Sequence, residues 1–386
     1  MPNTNTLAPD PLDTRALRHV FGRDRRSPQV NDLSKHHHDN SHHEPPPPPG
    51  NYPFHLDLED LLGAAEVDKI RQAGKLVFHT MGDTGHKDHG SEAQFAIAFH
   101  MVGQLESLPE RDRPKFFYHL GDVVYFNGEK EDYDSQFYEP YDEYTAPIVA
   151  IAGNHDGAKG DDQSIPTLEG FQMNFCAPQP THTWMAGHSN RTTMIQPNFY
   201  WTLLTPLATI IGLYSNVDGK INGKNKAQQD WLTEELKNAK QRGDKCVLVT
   251  VHHPPYSLDS SHGGHTAIQD VLDKAFADAS FTPTAILSGH VHDYQHFERK
   301  IGTRKVPYLV SGAGGYEGYS NMHQLKPGAV PPAGVKLKKS NTKLPGFLKI
   351  TVTKTAFAGQ YYQVSRPNGH FSNSTATLFE SFSYPL

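Results

Sequence analysis

The chain has 386 residues, a formal net charge of −6 and a charged fraction of 20%. This length suits one α/β enzyme core, and without a basic excess neither a nucleic acid nor an anionic membrane is an expected partner. Two cysteines, no secretory leader and no apolar run of about 18 residues predict a protein without disulfides or membrane spans. The cytoplasm fits these features, and export by a route not visible in the sequence is the alternative.

The first part of the chain differs in composition from the rest. Residues 35–50 read "KHHHDNSHHEPPPPPG", and the residues before them carry apolar side chains without any period. We therefore predict a disordered His/Pro-rich arm over residues 1–50 and a catalytic domain over residues 51–386. Metal capture by the histidine cluster is the alternative function of the arm.

From residue 51 onward, strand and helix patterns alternate. Helices are predicted at 91–105, where Ser91 and Gln94 have capping-box spacing, near 227–242 before Gly243, and near 266–276. Five apolar runs separate or flank these helices, namely "KLVFHTM", "FFYHL", "APIVAIA", "KCVLVTV" and "PTAILS". Alternating β and α elements predict a largely parallel sheet covered by helices.

Each apolar run ends at a residue type that binds metals. These residues are Asp83, Asp122, Asn154, His252, and the pair His290 and His292. In open α/β sheets, ligands bind beyond the carboxyl ends of the strands, so we expect these side chains to converge. Their oxygen and imidazole donors suit Zn, Fe or Mn, and six ligands are too many for one tetrahedral ion but suit two ions that share a carboxylate.

The ordered set "GDTG", "GDVVY", "GNHD", "VTVHH" and "GHVH" resembles the calcineurin-like metallophosphoesterases, and most of all the purple acid phosphatases. The resemblance spans residues 83–292 and implies a four-layer α/β/β/α sandwich. It implies that Asp122 bridges two metal ions. The remaining ligands would be Asp83, Tyr125 and His292 at the first ion, and Asn154, His252 and His290 at the second.

Tyr125 distinguishes this chain from most of that superfamily. Gly85 stands where most members have a histidine ligand, and the phenol of "GDVVY" is similar to the substitute used by purple acid phosphatases. A phenol with an ordinary pKa near 10 binds as phenolate beside a strongly acidic ion, which favours Fe(III) in the first site. The second site would hold Zn, Fe or Mn in the divalent state. The alternative is that Tyr125 packs and His86 ligates.

The resemblance also implies residues that act on the substrate. His155 corresponds to a histidine that faces the phosphate, although Asn127 replaces the aspartate that supports it in plant enzymes, so Asp156 or another carboxylate is expected to do so. His262 is our choice for a second catalytic histidine, with His265 as the alternative. His86 and Arg191 are further candidates for substrate binding, and residues 314–346 read as a long loop or lid.

The predicted activity is hydrolysis of small phosphomonoesters through attack by a metal-bound hydroxide. A phosphodiesterase acting at the same centre, on substrates that include cyclic nucleotides, is the first alternative. A metal-binding or regulatory protein without turnover is the second. The ratio of activities on a monoester and a diester distinguishes a phosphatase from a phosphodiesterase. The absence of both activities would favour a metal-binding or regulatory protein.

Overall fold

The computed structural model describes residues 42–86, 90–160, 162–217, 221–316, 318–320, 322–366 and 370–386. Most of the predicted arm therefore lies outside the described residues. Its last part contacts the domain that follows: the Gly50 amide donates to the Pro197 carbonyl over 2.8 Å, and the Lys224 amide donates to Glu44 Oε1 over 2.7 Å. The boundary at residue 50 stays a prediction. None of the helices within these ranges has the length and apolarity needed to cross a membrane.

The described residues form fourteen strands and seven α-helices. The strands are β1 His55–Asp57, β2 Lys75–Met81, β3 Phe117–His119, β4 Ile148–Ala150, β5 Trp201–Leu204, β6 Thr209–Leu213, β7 Val247–Val251, β8 Ala285–Ser288, β9 Tyr294–Ile301, β10 Arg304–Ser311, β11 Val335–Asn341, β12 Gly346–Thr353, β13 Ala356–Val364 and β14 Ala376–Pro385. The helices are α1 Leu58–Leu62, α2 Ala64–Ala73, α3 Glu92–Ser107, α4 Asn154–Gly157, α5 Glu169–Phe175, α6 Ala227–Arg242 and α7 Thr266–Ala279.

The strands form two mixed sheets. The larger sheet has the order β1-β5-β6-β7-β8-β10-β9-β11, and the smaller has the order β14-β13-β12-β2-β3-β4. Strands β2, β3 and β4 are mutually parallel in the smaller sheet, as are β6, β7, β8 and β10 in the larger one. The carboxyl ends of parallel neighbours lie at one edge of a sheet, so the loops after these strands share an edge.

The two sheets share a hydrophobic core. Phe78 and Tyr118 of the smaller sheet belong to the same buried cluster as Leu248 and Ile286 of the larger one. A hydrogen bond also joins the sheets, since Tyr118 Oη lies 3.0 Å from Thr250 Oγ1.

Helices cover the sheets. Leu232 of α6 and Leu272 of α7 pack into the core cluster that contains the strands of the larger sheet. Ile97 and Met101 of α3 pack into a second cluster with Phe117 of the smaller sheet. The predicted α/β/β/α arrangement is confirmed.

Candidate metal centre

Three of the predicted ligands occupy left-handed backbone conformations. Asp83, Asp122 and His290 have φ angles of 61°, 53° and 68°. Such angles cost a non-glycine residue about 1–3 kcal/mol and persist only where neighbouring groups hold them. Here the Asp83 amide donates to the Gly121 carbonyl over 3.0 Å, and the His290 amide donates to Asp83 Oδ2 over 2.8 Å. The loops after β2, β3 and β8 are therefore locked to one another.

Two glycines allow these loops to approach so closely. Gly121 has a φ of 93°, and a Cβ there would lie 2.6 Å from Nδ1 of His252. A Cβ on Gly153 would lie 2.1 Å from Oδ1 of Asp122. Any side chain at either position would push the strand-end residues apart, which explains why the motifs read "GD" and "GN".

The predicted ligands form two groups on either side of Asp122. In the first group, Tyr125 Oη lies 3.4 Å from Asp122 Oδ2 and 3.5 Å from Asp83 Oδ1, and His292 Nε2 lies 3.6 Å from Asp83 Oδ1. In the second, His252 Nε2 lies 3.1 Å from both Asp122 Oδ2 and Asn154 Oδ1, and His290 Nδ1 lies 2.9 Å from Asn154 Oδ1. Asp122 is the member common to both groups.

The two carboxylates are buried without a permanent cation. Among the described residues, no lysine or arginine forms an ion pair with Asp83 or Asp122. Burial raises the pKa of Asp83 well above its usual value. Burial also acts to raise the pKa of Asp122, but the charges of His252 and His155 more than offset it and hold that pKa well below the usual range.

His252 is oriented as a metal ligand would be. Its Nδ1 lies 2.8 Å from the Leu120 carbonyl, so Nδ1 carries a proton and Nε2 faces the two oxygens of Asp122 and Asn154. Burial alone would lower the pKa of His252. The negative charge of Asp122 outweighs the effect of burial and raises the pKa of His252 to about 9. A proton therefore occupies the Nε2 lone pair in the metal-free protein, where a metal ion would bind instead.

The other imidazoles stay neutral in this environment. Burial lowers the pKa of both His290 and His292 well below the usual value, so their lone pairs are free for an ion. Asp122, His252 and His290 bring their donor atoms within 4.8 Å of one another. The oxygen and nitrogen donors of the two groups therefore fit two ions with a shared carboxylate.

Comparison with known proteins agrees with this geometry. A model of the calcineurin-like phosphoesterase family matches residues 57–294, which contain all of the strand-end residues described above. The chain belongs to the calcineurin-like phosphoesterase family. Membership makes it a relative of metal-dependent phosphoesterases.

Two curated relatives of this family member differ in the activity that their names denote. Purple acid phosphatase 4 of Arabidopsis thaliana is 23% identical over 342 residues, which cover 83% of this chain and 91% of the relative. The probable glycerophosphodiester phosphodiesterase GpdQ of Arcobacter nitrofigilis is 26% identical over 225 residues, covering 55% of this chain and 70% of the relative. The first name denotes a phosphatase and the second a diesterase.

Solved structures resemble this chain in fold. Purple acid phosphatase PPD1 from yellow lupin (Lupinus luteus) seeds has a TM-score of 0.56 at 14% identity, covering 80% of this chain and 53% of the lupin chain. This chain thus spans about half the length of the lupin protein. GAP50, the anchor in the inner membrane complex of Plasmodium, has a TM-score of 0.53 at 15% identity, covering 79% of this chain and 89% of the other.

His155 borders the first group of ligands. Its amide donates to Asp122 Oδ1 over 2.8 Å, and its ring centroid lies 4.2 Å from that of Tyr125. Its Nδ1 lies 2.7 Å from the Phe126 carbonyl, so a backbone oxygen occupies the supporting position for which we expected a carboxylate. Asp156 instead accepts backbone amides through both of its oxygens, including that of Gly153 over 2.8 Å.

The structure brings both candidate histidines of the loop after β7 to the centre. The ring centroid of His262 lies 4.8 Å from that of His290 and 6.3 Å from that of His292. The ring centroid of His265 lies 5.7 Å from that of His290 and 4.8 Å from that of His253. His262 therefore contacts both groups of ligands, whereas His265 borders the second.

The remaining two candidates differ in position. His86 lies on the loop after β2, where its amide donates to Gln136 Oε1 over 3.2 Å. Arg191 is not brought to the centre: its guanidinium donates to the carbonyl of Tyr144 and, over 3.0 Å, to the carbonyl of Ala146. These contacts hold a backbone turn, and they correct the expectation that Arg191 contacts the substrate.

Two residues of the centre were missed in the sequence. The Tyr316 ring stacks on that of Tyr125 with centroids 3.8 Å apart, and the His323 ring lies 4.4 Å from that of His292. Both follow β10, which runs parallel to β8 and ends at the same sheet edge. The sequence does contain a signal for Tyr316, because "GAGGY" follows an apolar run as the other motifs do.

Proposed function

We propose that this protein hydrolyses small phosphomonoesters. The observation that carries the proposal is the position of Asp122 between two groups of metal-binding side chains, in a member of a phosphoesterase family. The purple acid phosphatase of Arabidopsis thaliana, which aligns over 83% of this chain, supports the choice of phosphomonoesters.

Each group would hold one ion together with Asp122. Asp83, Tyr125 and His292 would bind Fe(III), because a buried phenol surrounded by carboxylates loses its proton only to a strongly acidic ion. Asn154, His252 and His290 would bind Zn, Fe or Mn in the divalent state. When bound, the two ions supply a water of lowered pKa and neutralise charge on the phosphate oxygens.

The chain's own residues position the substrate. Phe126 accepts the Nδ1 proton of His155, and Nε2 of that ring is the atom that we assign to contact a phosphate oxygen or the leaving oxygen. His262 lies on the other side, against His290 and His292, and would contact the same phosphate. The Tyr316 ring covers Tyr125 and excludes water from that phenol.

A phosphodiesterase is the second candidate function. It is supported by the relative from Arcobacter nitrofigilis, whose name denotes a glycerophosphodiester substrate. The same two groups of ligands could act on a diester, because both reactions need an in-line displacement at phosphorus.

A protein without turnover is the third candidate. The resemblance in fold to GAP50, described as an anchor, shows that this fold is also found in a protein named for a structural role. Against this candidate, every member of the two ligand groups is a residue type that binds metals, and all of them converge.

The test is the ratio of hydrolysis rates on p-nitrophenyl phosphate and bis(p-nitrophenyl) phosphate. The full chain is loaded with iron and zinc and compared with an Asp122→Asn variant, whose metal content is measured in parallel. Faster monoester cleavage that the variant lacks supports the phosphatase. A diester preference supports the second candidate, and no hydrolysis of either ester by the metal-loaded protein supports the third.

A further inference from the structure

A third group of potential ligands lies beside the centre. The loop after β7 and the segment after β10 meet at a bridge between Asp259 and Leu325, where the Ser260 amide donates to the Gln324 carbonyl over 2.9 Å. This contact brings together Asp259, His262 and His323, whose donor atoms lie within 4.8 Å of one another. None of the three belongs to the two groups that share Asp122.

The spacing of the three donors suits a metal ion better than hydrogen bonds. Asp259 Oδ2 lies 3.8 Å from His262 Nδ1 and 3.4 Å from His323 Nδ1. These separations exceed those of good N–H···O hydrogen bonds. At ligand distances of 2.0–2.1 Å, two donors on a tetrahedral ion are about 3.3 Å apart, close to the observed spacing.

One of these donor atoms, Nδ1 of His262, and the second carboxylate oxygen of Asp259 have no hydrogen-bond partner among the described residues. Asp259 is 5% exposed. Oδ2 of Asp259 accepts the amides of Ser261 and His262 over 2.8 and 2.5 Å, which aims the carboxylate at the two rings. Buried polar atoms without partners are costly, and a cation among them would remove that cost.

His323 has one competing contact. The His292 amide lies 3.3 Å from Nδ1 of His323, so that nitrogen accepts a long hydrogen bond when no ion is bound. The lone pair that accepts this amide is the one that a metal ion would take, so ion binding would replace the long contact.

We infer that Asp259, His262 and His323 bind a third divalent ion of the Zn²⁺ class next to the two ions of the centre. One carboxylate oxygen and two imidazole nitrogens form a donor set that suits zinc, with a fourth position for water. The rings of His262 and His323 lie 4.8 and 4.4 Å from those of His290 and His292, so the ion adjoins the phosphate pocket. Coordination through Nδ1 fixes the proton of His262 on Nε2, where it can donate to a substrate.

The test counts zinc ions and does not depend on turnover. Metal-stripped full-length protein is dialysed against buffered free Zn²⁺, and the bound zinc is measured by mass spectrometry in wild type, Asp259→Asn and His323→Ala. Each variant is expected to bind one zinc fewer than wild type. His188→Ala, which removes an exposed histidine elsewhere, should bind as many as wild type. Histidines of residues 36–43 are common to all four proteins, so their contribution cancels.

An Asp122→Asn background separates this site from the centre. Asp122→Asn should lower zinc binding, and adding Asp259→Asn should remove one further equivalent. Circular dichroism of each metal-stripped variant establishes that it is folded. If Asp259→Asn does not fold, the zinc content of His323→Ala tests the site in its place. Equal zinc content in wild type and in the folded variants would overturn the inference, whatever the outcome of the hydrolysis assay.

Discussion

Asp156 joins two loops that carry predicted metal ligands, although it is not itself a predicted ligand. Its Oδ1 accepts the amides of Val123 and Val124 over 3.0 and 3.3 Å, and its Oδ2 accepts the amide of Gly153 over 2.8 Å. Asp156→Ala leaves three buried amides without acceptors. Each unsatisfied buried group costs about 1–3 kcal/mol, so three of them lower the free energy of unfolding by about 3–9 kcal/mol.

Asp156→Asn keeps one carbonyl oxygen and the side-chain volume. It should cost about 1–3 kcal/mol, because one amide loses its acceptor. The assay is urea unfolding of the metal-free proteins, followed by circular dichroism and extrapolated to water. Metal content is measured in parallel, and because the loops that carry Asp122 and Asn154 are no longer joined, Asp156→Ala should bind metal about 10–100-fold more weakly.

Asp142 provides the matched control. Its Oδ1 accepts from Ser189 Oγ over 2.7 Å and from the Asn190 amide over 3.3 Å, so it also joins two loops, but neither loop carries a predicted ligand. Asp142→Ala should lower stability without changing metal content. If Asp156→Ala unfolds within about 1 kcal/mol of wild type, the assigned role of its three amide contacts is wrong.

Three further predictions concern single side chains. Tyr125→Phe should abolish the visible absorption of the iron-loaded protein while zinc still binds the second group, and a retained band would exclude the phenol as a ligand. Arg191→Met should leave KM for p-nitrophenyl phosphate unchanged. It should lower the free energy of unfolding by about 2–4 kcal/mol, because the carbonyls of Tyr144 and Ala146 lose a charged donor. A raised KM at unchanged stability would instead indicate that Arg191 contacts the substrate. Burial lowers the pKa of His79 to about 3, so as the pH falls below about 6.5 the histidine is protonated in the unfolded chain but not in the folded one. The free energy of unfolding should therefore decrease below pH 6.5 by up to about 1.4 kcal/mol per pH unit. His79→Asn should show a shallower pH dependence in urea unfolding, and an equal slope would contradict the argument.

The convergence of the strand-end residues within each sheet could be predicted because it depends only on topology. Alternating strands and helices imply parallel neighbours, and parallel neighbours place their carboxyl ends at one edge. For that reason the loops after β2 and β3 meet, and the Asp83 amide donates to the Gly121 carbonyl over 3.0 Å. Asp83 and His292, more than 200 residues apart in sequence, belong to different sheets and lie 3.6 Å apart because the two sheets pack against each other. Helix α3 also begins as predicted, since Ser91 Oγ accepts the Gln94 amide over 3.0 Å.

The apolar stripe of α3 does not coincide with its most buried positions. Phe95, Phe99 and Val102 form an apolar stripe at helical spacing, yet they are only half-buried. The fully buried positions include the smaller Ala93 and Ile97, which let the helix pack close to the smaller sheet. Periodicity identifies an apolar face, but the size of the gap beneath the helix decides which side of that face is buried.

The predicted lid at residues 314–346 is only partly a loop. Residues 335–341 form β11, which pairs with β9 at the edge of the larger sheet. Its "VKLKKSN" sequence is rich in lysine, as exposed edge strands often are, and a lysine-rich composition alone does not distinguish such a strand from a loop. The contacts of Tyr316 and His323 with the centre depend on side chains in an irregular segment, where no sequence period applies.

The predicted metal-binding residues are divided between the two sheets. Asp83, Asp122 and Asn154 follow strands of the smaller sheet, and His252, His290 and His292 follow strands of the larger one. The spacing of donor atoms is therefore mechanically coupled to the way the sheets pack. A shift of one sheet by a few tenths of an ångström would change every distance across the centre at once. Contacts such as Tyr118 with Thr250, and the bond from Trp201 Nε1 to the Ala150 carbonyl, limit that shift. The choice between ions of different size thus depends partly on core side chains that touch no metal.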